Sequence, residues 1–292
     1  MTASGDAGEG STTVETGYEW LSERAARSIA QLTSIEIAAD ADILADDQFF
    51  HPIYRTLSQD VAQCLLSALD HVRFLVWSLK NRDQPYPVAQ ATLIRTAITG
   101  AATALWMVSA PTPVERRCRA MEFMFSDIKS QLAWMNTAAA EPMHQQHPAT
   151  EWTAFEAQRT ELKGRQDWIV QQANAFLVPV NLYTCRTYGQ RITSDSDMVR
   201  SAGAITPALG TGGWNSELVL LNSWQVLSGY AHARPWALPL GSTLTVTDSE
   251  PNPTTGAIKV TAEGNADRLL NKAFRAILVI ENGVGWLNAL ST

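Results

Sequence analysis

The segment that most constrains the fold is residues 87–109, a predicted helix that is apolar on nearly every side. Such a helix has no face suited to water, so other helices must surround it. A membrane span needs about 20 predominantly apolar residues, and Arg95 and several threonines interrupt this one. The segment therefore predicts the core helix of a soluble bundle and no membrane contact.

Apolar residues at three- and four-residue intervals predict further helices on both sides of this segment. The predicted helices cover residues 20–40, 53–80, 113–135, 150–178, 215–232 and 266–290. Thr112, Asn215 and Asn265 stand where an N-cap side chain satisfies the first backbone N–H groups of a helix. Two runs of alternating residues around a Pro/Gly turn predict a β-hairpin at about 242–263. The predicted fold is mostly α, a helical bundle with a small β-hairpin insert before the C-terminal helix.

Composition indicates the domain organisation and the surface. Residues 1–17 are small and polar and are predicted as a disordered tail, which leaves 18–292 as a single helical domain. Residues 181–214 are rich in glycine and are predicted to be irregular, apart from one short helix. Charged residues make up 17% of the chain, below the roughly 25% usual for soluble domains, and there are ten tryptophans. A surface with so few charges predicts a homo-oligomer, most simply a homodimer.

The net charge of −7 resides in the N-terminal part of the chain. Residues 1–50 hold ten acidic and two basic side chains, which leaves the remainder close to neutral. A large non-specific nucleic-acid footprint is therefore not indicated, while a local basic groove for RNA or a nucleotide stays open. Three cysteines far apart and the lack of a secretion signal predict reduced thiols and a cytoplasmic protein.

His232 is the first candidate catalytic residue, because it extends the apolar stripe of its helix to the C-terminal turn. It lies four residues after Ser228 and eight after Trp224, and the candidate binding residues Tyr230 and Arg234 stand beside it. The helix dipole favours a cation there, and an imidazole in that place can act as a general acid or base. The alternative is a structural histidine that binds the last carbonyl groups of the helix.

Arg95 is the second candidate catalytic residue, since a guanidinium inside the most buried helix is costly unless it is paired. It requires a carboxylate, carbonyl oxygens or an anionic ligand. One alternative is a structural ion pair with an acid such as Glu122 or Asp70. The other is an anion-binding arginine at the rim of a cavity in the bundle, facing His232.

Arg116, Arg117 and Arg119 open a helix whose dipole disfavours cations at its N-terminus. Local stability therefore does not explain them. They are candidates for a set of phosphate-binding residues, and the alternative is a solvent-exposed face paired with Glu115 and Glu122.

Several other chemistries lack the residues that they need. His144 and His147 are too few ligands for a zinc site, so no metal and no cofactor are predicted. Residues 210–213 follow no strand and precede no Gly-Lys-Ser/Thr, so they are interpreted as a flexible loop rather than a phosphate cradle. Asp46-Asp47-Gln48-Phe49-Phe50 lacks the third acid of the motif of class I terpene cyclases, which excludes that class.

Three short motifs place arginines and a histidine on separate helices: Ile94-Arg95-Thr96-Ala97, Glu115-Arg116-Arg117-Cys118-Arg119-Ala120 and Ser228-Gly229-Tyr230-Ala231-His232. This arrangement, over about residues 53–235, resembles a family of bacterial helical-bundle proteins of unknown function and, more distantly, HEPN-type helical domains. The resemblance implies a bundle, often dimeric, in which an arginine and a histidine meet in a cleft. Active HEPN nucleases carry Arg-x4–6-His on one helix. No histidine here has an arginine at that spacing, so Arg95 and His232 would have to pair between two helices.

Three functions are open from the sequence. The first is an intracellular, homo-oligomeric interaction or binding module. The second is a HEPN-like enzyme that processes RNA or a nucleotide, with His232 transferring a proton and Arg95 or Arg234 stabilising charge on the phosphate. The third is a small-molecule pocket in the bundle core, walled by tryptophans: Trp77, Trp106, Trp134 and Trp224.

Overall fold

A computed structural model describes residues 7–81, 86–140, 149–207, 209 and 215–292. In this part of the chain the fold is mostly α, with an antiparallel β-hairpin before the C-terminal helix, which confirms the predicted fold class. The helices are α1 (Ala7–Thr33), α2 (Asp42–Phe49), α3 (Leu57–Lys80), α4 (Pro87–Val108), α5 (Pro113–Ala140), α6 (Ala149–Phe176), α7 (Leu182–Tyr188), α8 (Asp195–Ile205), α9 (Ser216–Ala231), α10 (Leu238–Gly241) and α11 (Ala266–Ser291). The strands are β1 (Ser242–Asp248) and β2 (Lys259–Gly264).

The predicted N-caps are confirmed at the starts of α5, α9 and α11. In each, the side-chain oxygen accepts a backbone N–H of the first turn, at 3.2 Å for Thr112, 2.9 Å for Asn215 and 3.0 Å for Asn265. These N–H groups have no partner within the helix itself. The cap residues therefore fix where the three helices begin.

Helix α1 begins at Ala7, inside the segment 1–17 that the sequence predicted to be disordered. Its later turns pack against α11, where Leu21 and Ala25 are buried. Helix formation is cooperative, so a turn held by packing lets the polar residues before it continue the same hydrogen-bond ladder. The polar composition of residues 1–17 gives no sign that the following turns of the helix pack against α11.

The contacts between Cα atoms divide the chain into two compact units, where the sequence predicted one domain over 18–292. The first unit holds the described residues of Met1–Glu36, Val61–Val108 and Asp195–Thr292. The second holds those of Ile37–Asp60 and Ser109–Ser194. Periodicity indicates which face of a helix is buried but not which neighbour covers it, so it could not separate these two sets of helices.

Helix α4 is the central helix of the first unit, as predicted, and it packs against α8, α9 and α11. A Cβ built on Gly100 would lie 2.9 Å from the backbone oxygen of Cys64 in α3, so glycine permits a close approach of the two helices. By length and composition α4 could cross a membrane, but 67% of its most apolar stretch is buried inside the protein. Such burial is consistent with the core helix of a soluble protein.

A buried ion-pair network organises the second unit. Asp46 of α2 is fully enclosed and accepts hydrogen bonds from Arg116 Nε at 2.6 Å and Arg117 Nε at 2.8 Å. Arg116 is itself only 3% exposed. Helix α2 was not predicted from the sequence, because its buried positions include acidic residues and therefore show no apolar periodicity.

Asp47, the next residue of α2, caps α3 from a distance. Its Oδ1 accepts the backbone N–H of Ser58 at 2.9 Å, and its Oδ2 accepts the Ser58 hydroxyl at 2.5 Å. Burial raises the pKa of the Asp47 carboxyl, and the hydrogen bonds from Ser58 oppose that shift. The first turn of α3 is thus held by a side chain of α2.

Candidate functional site

A groove of about 420 Å³ lies along the C-terminal half of α9 in the first unit. Trp224, Ser228 and His232 line it at intervals of four residues, so they share one face of the helix. Arg234 and Trp236, which follow the helix, complete the lining. Among the described residues, none of those lining the groove is acidic. The groove is therefore aromatic and basic.

The chain reverses after α9 through a turn that uses a left-handed residue. Ala233 has φ 51°, a conformation that costs a non-glycine residue roughly 1–2 kcal/mol. The N–H of Arg234 donates to the Gly229 carbonyl at 2.7 Å, and the N–H of Ala233 donates to the Tyr230 carbonyl at 2.9 Å. These two bonds form a Schellman motif, which ends the helix at His232 and folds the following residues back over it.

Gly229 allows the returning chain to lie directly on α9. A Cβ built there would lie 2.6 Å from the Cβ of Ala237 and 2.9 Å from the ring of Trp236. Non-bonded carbon atoms do not approach so closely, so glycine alone fits. Gly229 was not among the predicted site residues, although a glycine in the last turn of an apolar helix often has a packing reason.

Arg95 of α4 borders the same groove through Ser228 and Trp224. Its Nε donates to Ser228 Oγ at 3.0 Å, and its guanidinium carbon lies 5.3 Å from the centre of the Trp224 ring. Thr99, one turn later on α4, accepts the indole N–H of Trp224 at 2.9 Å. Arg95 and His232, predicted to face each other from two helices, thus both lie beside Ser228.

Among the described residues, neither of the carboxylates predicted as partners of Arg95 is paired with it. Glu122 instead accepts the backbone N–H and the hydroxyl of Thr193 in the second unit, and Asp70 lies exposed on α3. Arg95 is half-buried, and among the described residues the polar partners of its guanidinium are Ser228 and the ring of Trp224. A guanidinium placed in this way is suited to an external anion.

His232 is exposed as the C-cap residue of α9. Its backbone N–H donates to the Ser228 carbonyl at 3.0 Å, and its ring has no hydrogen-bond partner within the described residues. An exposed imidazole is accessible to a ligand in the groove. A general base is usually oriented by a third group as well, which the described part of the chain does not supply. The arrangement is therefore better suited to binding than to proton transfer.

Tyr230 and Arg234, the predicted binding residues, take different positions. Tyr230 is 4% exposed, its hydroxyl donates to the Leu238 carbonyl at 2.8 Å, and it lies 3.0 Å from Ser242 Oγ. It faces away from the groove because a separation of two residues from His232 is more than half a helical turn. Tyr230 therefore anchors the segment that leads into β1, whereas Arg234 lines the groove.

The arginines of α5 lie in the second unit and have partners there. Arg116 and Arg117 bind Asp46 rather than the glutamates or the phosphate that the sequence suggested. Burial lowers the pKa of Arg119, and the charges of two nearby glutamates oppose that shift. These residues do not belong to the groove on α9.

Metal ligands are not grouped in the described part of the chain, where no three His, Cys, Asp or Glu side chains are placed to hold an ion. His144, His147 and residues 210–213 lie outside the described residues. Of the four tryptophans suggested to wall a core pocket, Trp224 lines the groove and Trp106 is buried, while Trp77 and Trp134 are more than half exposed.

Comparison of the chain with protein-family models, curated proteins and solved structures finds no match. The fold and the groove therefore define the class: a mostly helical protein of two compact units with an aromatic, basic groove at the end of α9. Function has to be inferred from the chemistry of that groove.

Proposed function

We propose that the protein is a binding module whose groove on α9 takes a ligand with a flat ring system and an anionic group, such as a nucleotide. Arg95 carries this proposal, because it is half-buried and has no carboxylate partner within the described residues. An anionic group would compensate the desolvated guanidinium. The ring system would lie against Trp236, which is 53% exposed.

The charges around the groove decide which groups hold the anion. The C-terminal end of a helix carries a negative partial charge, so α9 itself does not attract an anion. Two of its last carbonyls are already used in the Schellman turn. The anion is therefore held by the guanidinium groups of Arg95 and Arg234. The volume of about 420 Å³ lies within the range of roughly 300–1,000 Å³ that small-molecule sites occupy.

Arg95→Gln is expected to weaken the binding of AMP at least about tenfold, because a hydrogen bond to a charged group contributes about 1.5–3 kcal/mol. Isothermal titration calorimetry with AMP, adenosine and inorganic phosphate measures the ring and the anion separately. The affinity for adenosine should be unchanged in Arg95→Gln and should fall in Trp236→Ala.

Arg73→Gln is the matched control, since Arg73 is exposed on α3 and lines a different groove. It removes the same charge and should leave AMP binding unchanged. AMP affinity that is equal in the wild type and in Arg95→Gln, or no AMP binding at millimolar concentration, would refute the proposal.

A second candidate function is RNA cleavage, which is favoured because His232 lines the groove together with Arg234 and Arg95 borders that groove through Ser228. The imidazole would take the proton of a ribose 2′-hydroxyl, whose oxygen attacks the adjacent phosphorus and displaces the 5′-oxygen. The departing 5′-oxygen takes up the proton from the imidazolium, so the products are a 2′,3′-cyclic phosphate and a free 5′-hydroxyl, and the imidazole is regenerated. Arg95 and Arg234 would stabilise the charge of the phosphorane. This is the activity that the resemblance to HEPN domains implies.

Loss of intact tRNA and total RNA is the expected result when wild-type protein is incubated with them, and His232→Ala should abolish it. His71→Ala, on α3, is the matched control and should cleave like the wild type. Equal amounts of intact RNA in the wild-type and His232→Ala samples would refute RNA cleavage and leave ligand binding as the function of the groove.

The proposed location is the cytoplasm. Cys64, Cys118 and Cys185 form no disulfide in the described structure, which supports a reducing compartment.

A further inference from the structure

The β-hairpin is the least supported element of the first unit. Past Ser242, every residue of β1 is exposed, and β2 is exposed or half-buried throughout. Val246 pairs with Val260 and Leu244 with Ala262, so one face of the hairpin is apolar. Isolated two-stranded hairpins are marginally stable in water, and three or more strands with an apolar face are needed for independent stability. The hairpin thus lacks either a cover or further strands.

The two strands differ in the edge that they offer to another strand. Within the described residues the sheet contains only β1 and β2, so each strand has one unpaired edge. An irregularity between Val246 and Asp248 interrupts the ladder on β1, and bulges of this kind twist an edge away from pairing. β2 is regular from Lys259 to Gly264. The edge of β2 is therefore the better surface for adding a strand.

The residue order of β2 is complementary to itself. In an antiparallel pair of two β2 strands centred on Thr261, Lys259 of each copy lies opposite Glu263 of the other. The same register sets Val260 opposite Ala262, so the apolar residues stay on one face. Opposite charges directly across an antiparallel pair stabilise it, and like charges destabilise it. Both charges are exposed and therefore accessible to a second copy.

We propose that the edge of β2 is a homodimer interface, in which two copies of the chain join their hairpins into one four-stranded antiparallel sheet through Lys259 and Glu263. The two-fold symmetry makes each favourable contact occur twice. The resulting sheet exceeds the minimum of three strands, and its apolar face is continuous across both copies. The groove on α9 is not part of this interface, so the proposal stands independently of the proposed function.

Sedimentation equilibrium of the full chain over a concentration series tests the interface. The wild type should show a monomer–dimer equilibrium that weakens with added salt, because exposed ion pairs are screened. Lys259→Glu and Glu263→Lys each set like charges opposite one another twice, and each should raise the dissociation constant at least about tenfold. An equimolar mixture of the two variants should dimerise like the wild type, since the two altered strands then face each other with opposite charges.

The mixture separates loss of the interface from loss of the hairpin, because a hairpin that has unfolded cannot be rescued by mixing. Lys163→Glu and Glu23→Lys change the same charges at exposed helical positions and should dimerise like the wild type. A wild type that stays monomeric at every concentration overturns the proposal. Single variants that dimerise as tightly as the wild type, or a mixture that stays monomeric, overturn it as well.

Discussion

Replacing Asp46 with alanine is expected to lower the free energy of unfolding by about 3–5 kcal/mol, because it leaves a buried guanidinium without its carboxylate. Arg116 is 3% exposed, its Nε donates to Asp46, and its Nη2 has no hydrogen-bond partner in the described structure. Arg117 also loses this carboxylate, but it keeps its hydrogen bond to the Ala45 carbonyl and is accessible to water. Urea unfolding followed by far-UV circular dichroism measures the loss.

Asp127→Ala is the matched control for this loss. Asp127 also binds an arginine, Arg55, but its side chain is 52% exposed, and Arg55 keeps a second partner in Asp60. Exposed ion pairs contribute about 0–1 kcal/mol, so this variant should unfold within about 1 kcal/mol of the wild type. Losses of equal size in the two variants would contradict the importance assigned to the burial of Asp46.

Gly229→Ala is expected to destabilise the first unit by about 2–3 kcal/mol, which is typical of overpacking a well-packed site. The new methyl group would meet the Cβ of Ala237 at 2.6 Å, and that atom cannot move without its backbone. The turn that carries Trp236 must therefore shift. We expect AMP binding to fall together with the thermal midpoint, as measured by calorimetry and by thermal unfolding.

Gly285→Ala shows what the same substitution does where there is room. Apart from its chain neighbours and the nearby backbone of α11, the described residues place no atom within 4 Å of a Cβ at Gly285. Alanine is favoured over glycine in a helix by about 0.5–1 kcal/mol, so this variant should be more stable than the wild type. If Gly229→Ala is as stable as the wild type and binds AMP equally, the close approach does not shape the groove.

Local signals predicted most of the helical fold, because caps and periodicity act within a few residues. Thr112, Asn215 and Asn265 marked the starts of three helices, and alternation located the hairpin. Helix α7 carries such a signal too: Asn181 and Thr184 form a capping box, which the prediction of an irregular segment passed over. Helix α2 has no such signal, since its stability depends on arginines 70 or more residues later in the chain.

The residues of the candidate site that lie on α9 could be predicted from the sequence, but the contacts between α9 and another helix could not. The spacing of Trp224, Ser228 and His232 fixes their common face, because the helical repeat is a property of the chain itself. The contact of Arg95 with Ser228 spans 133 residues and depends on which helix packs beside α4. The separation of Tyr230 from the groove also follows from helical geometry, because residues close in sequence to His232 need not lie on the same face of the helix.

The carboxylate of Asp47 joins α2 to the first turn of α3. The first N–H groups of a helix have no partner within it, and here one of them is satisfied by a residue eleven positions earlier. The opening turn of α3 therefore depends on a side chain of α2 for one of its hydrogen bonds. The chain between Asp47 and Ser58 therefore closes as a short loop with both ends fixed.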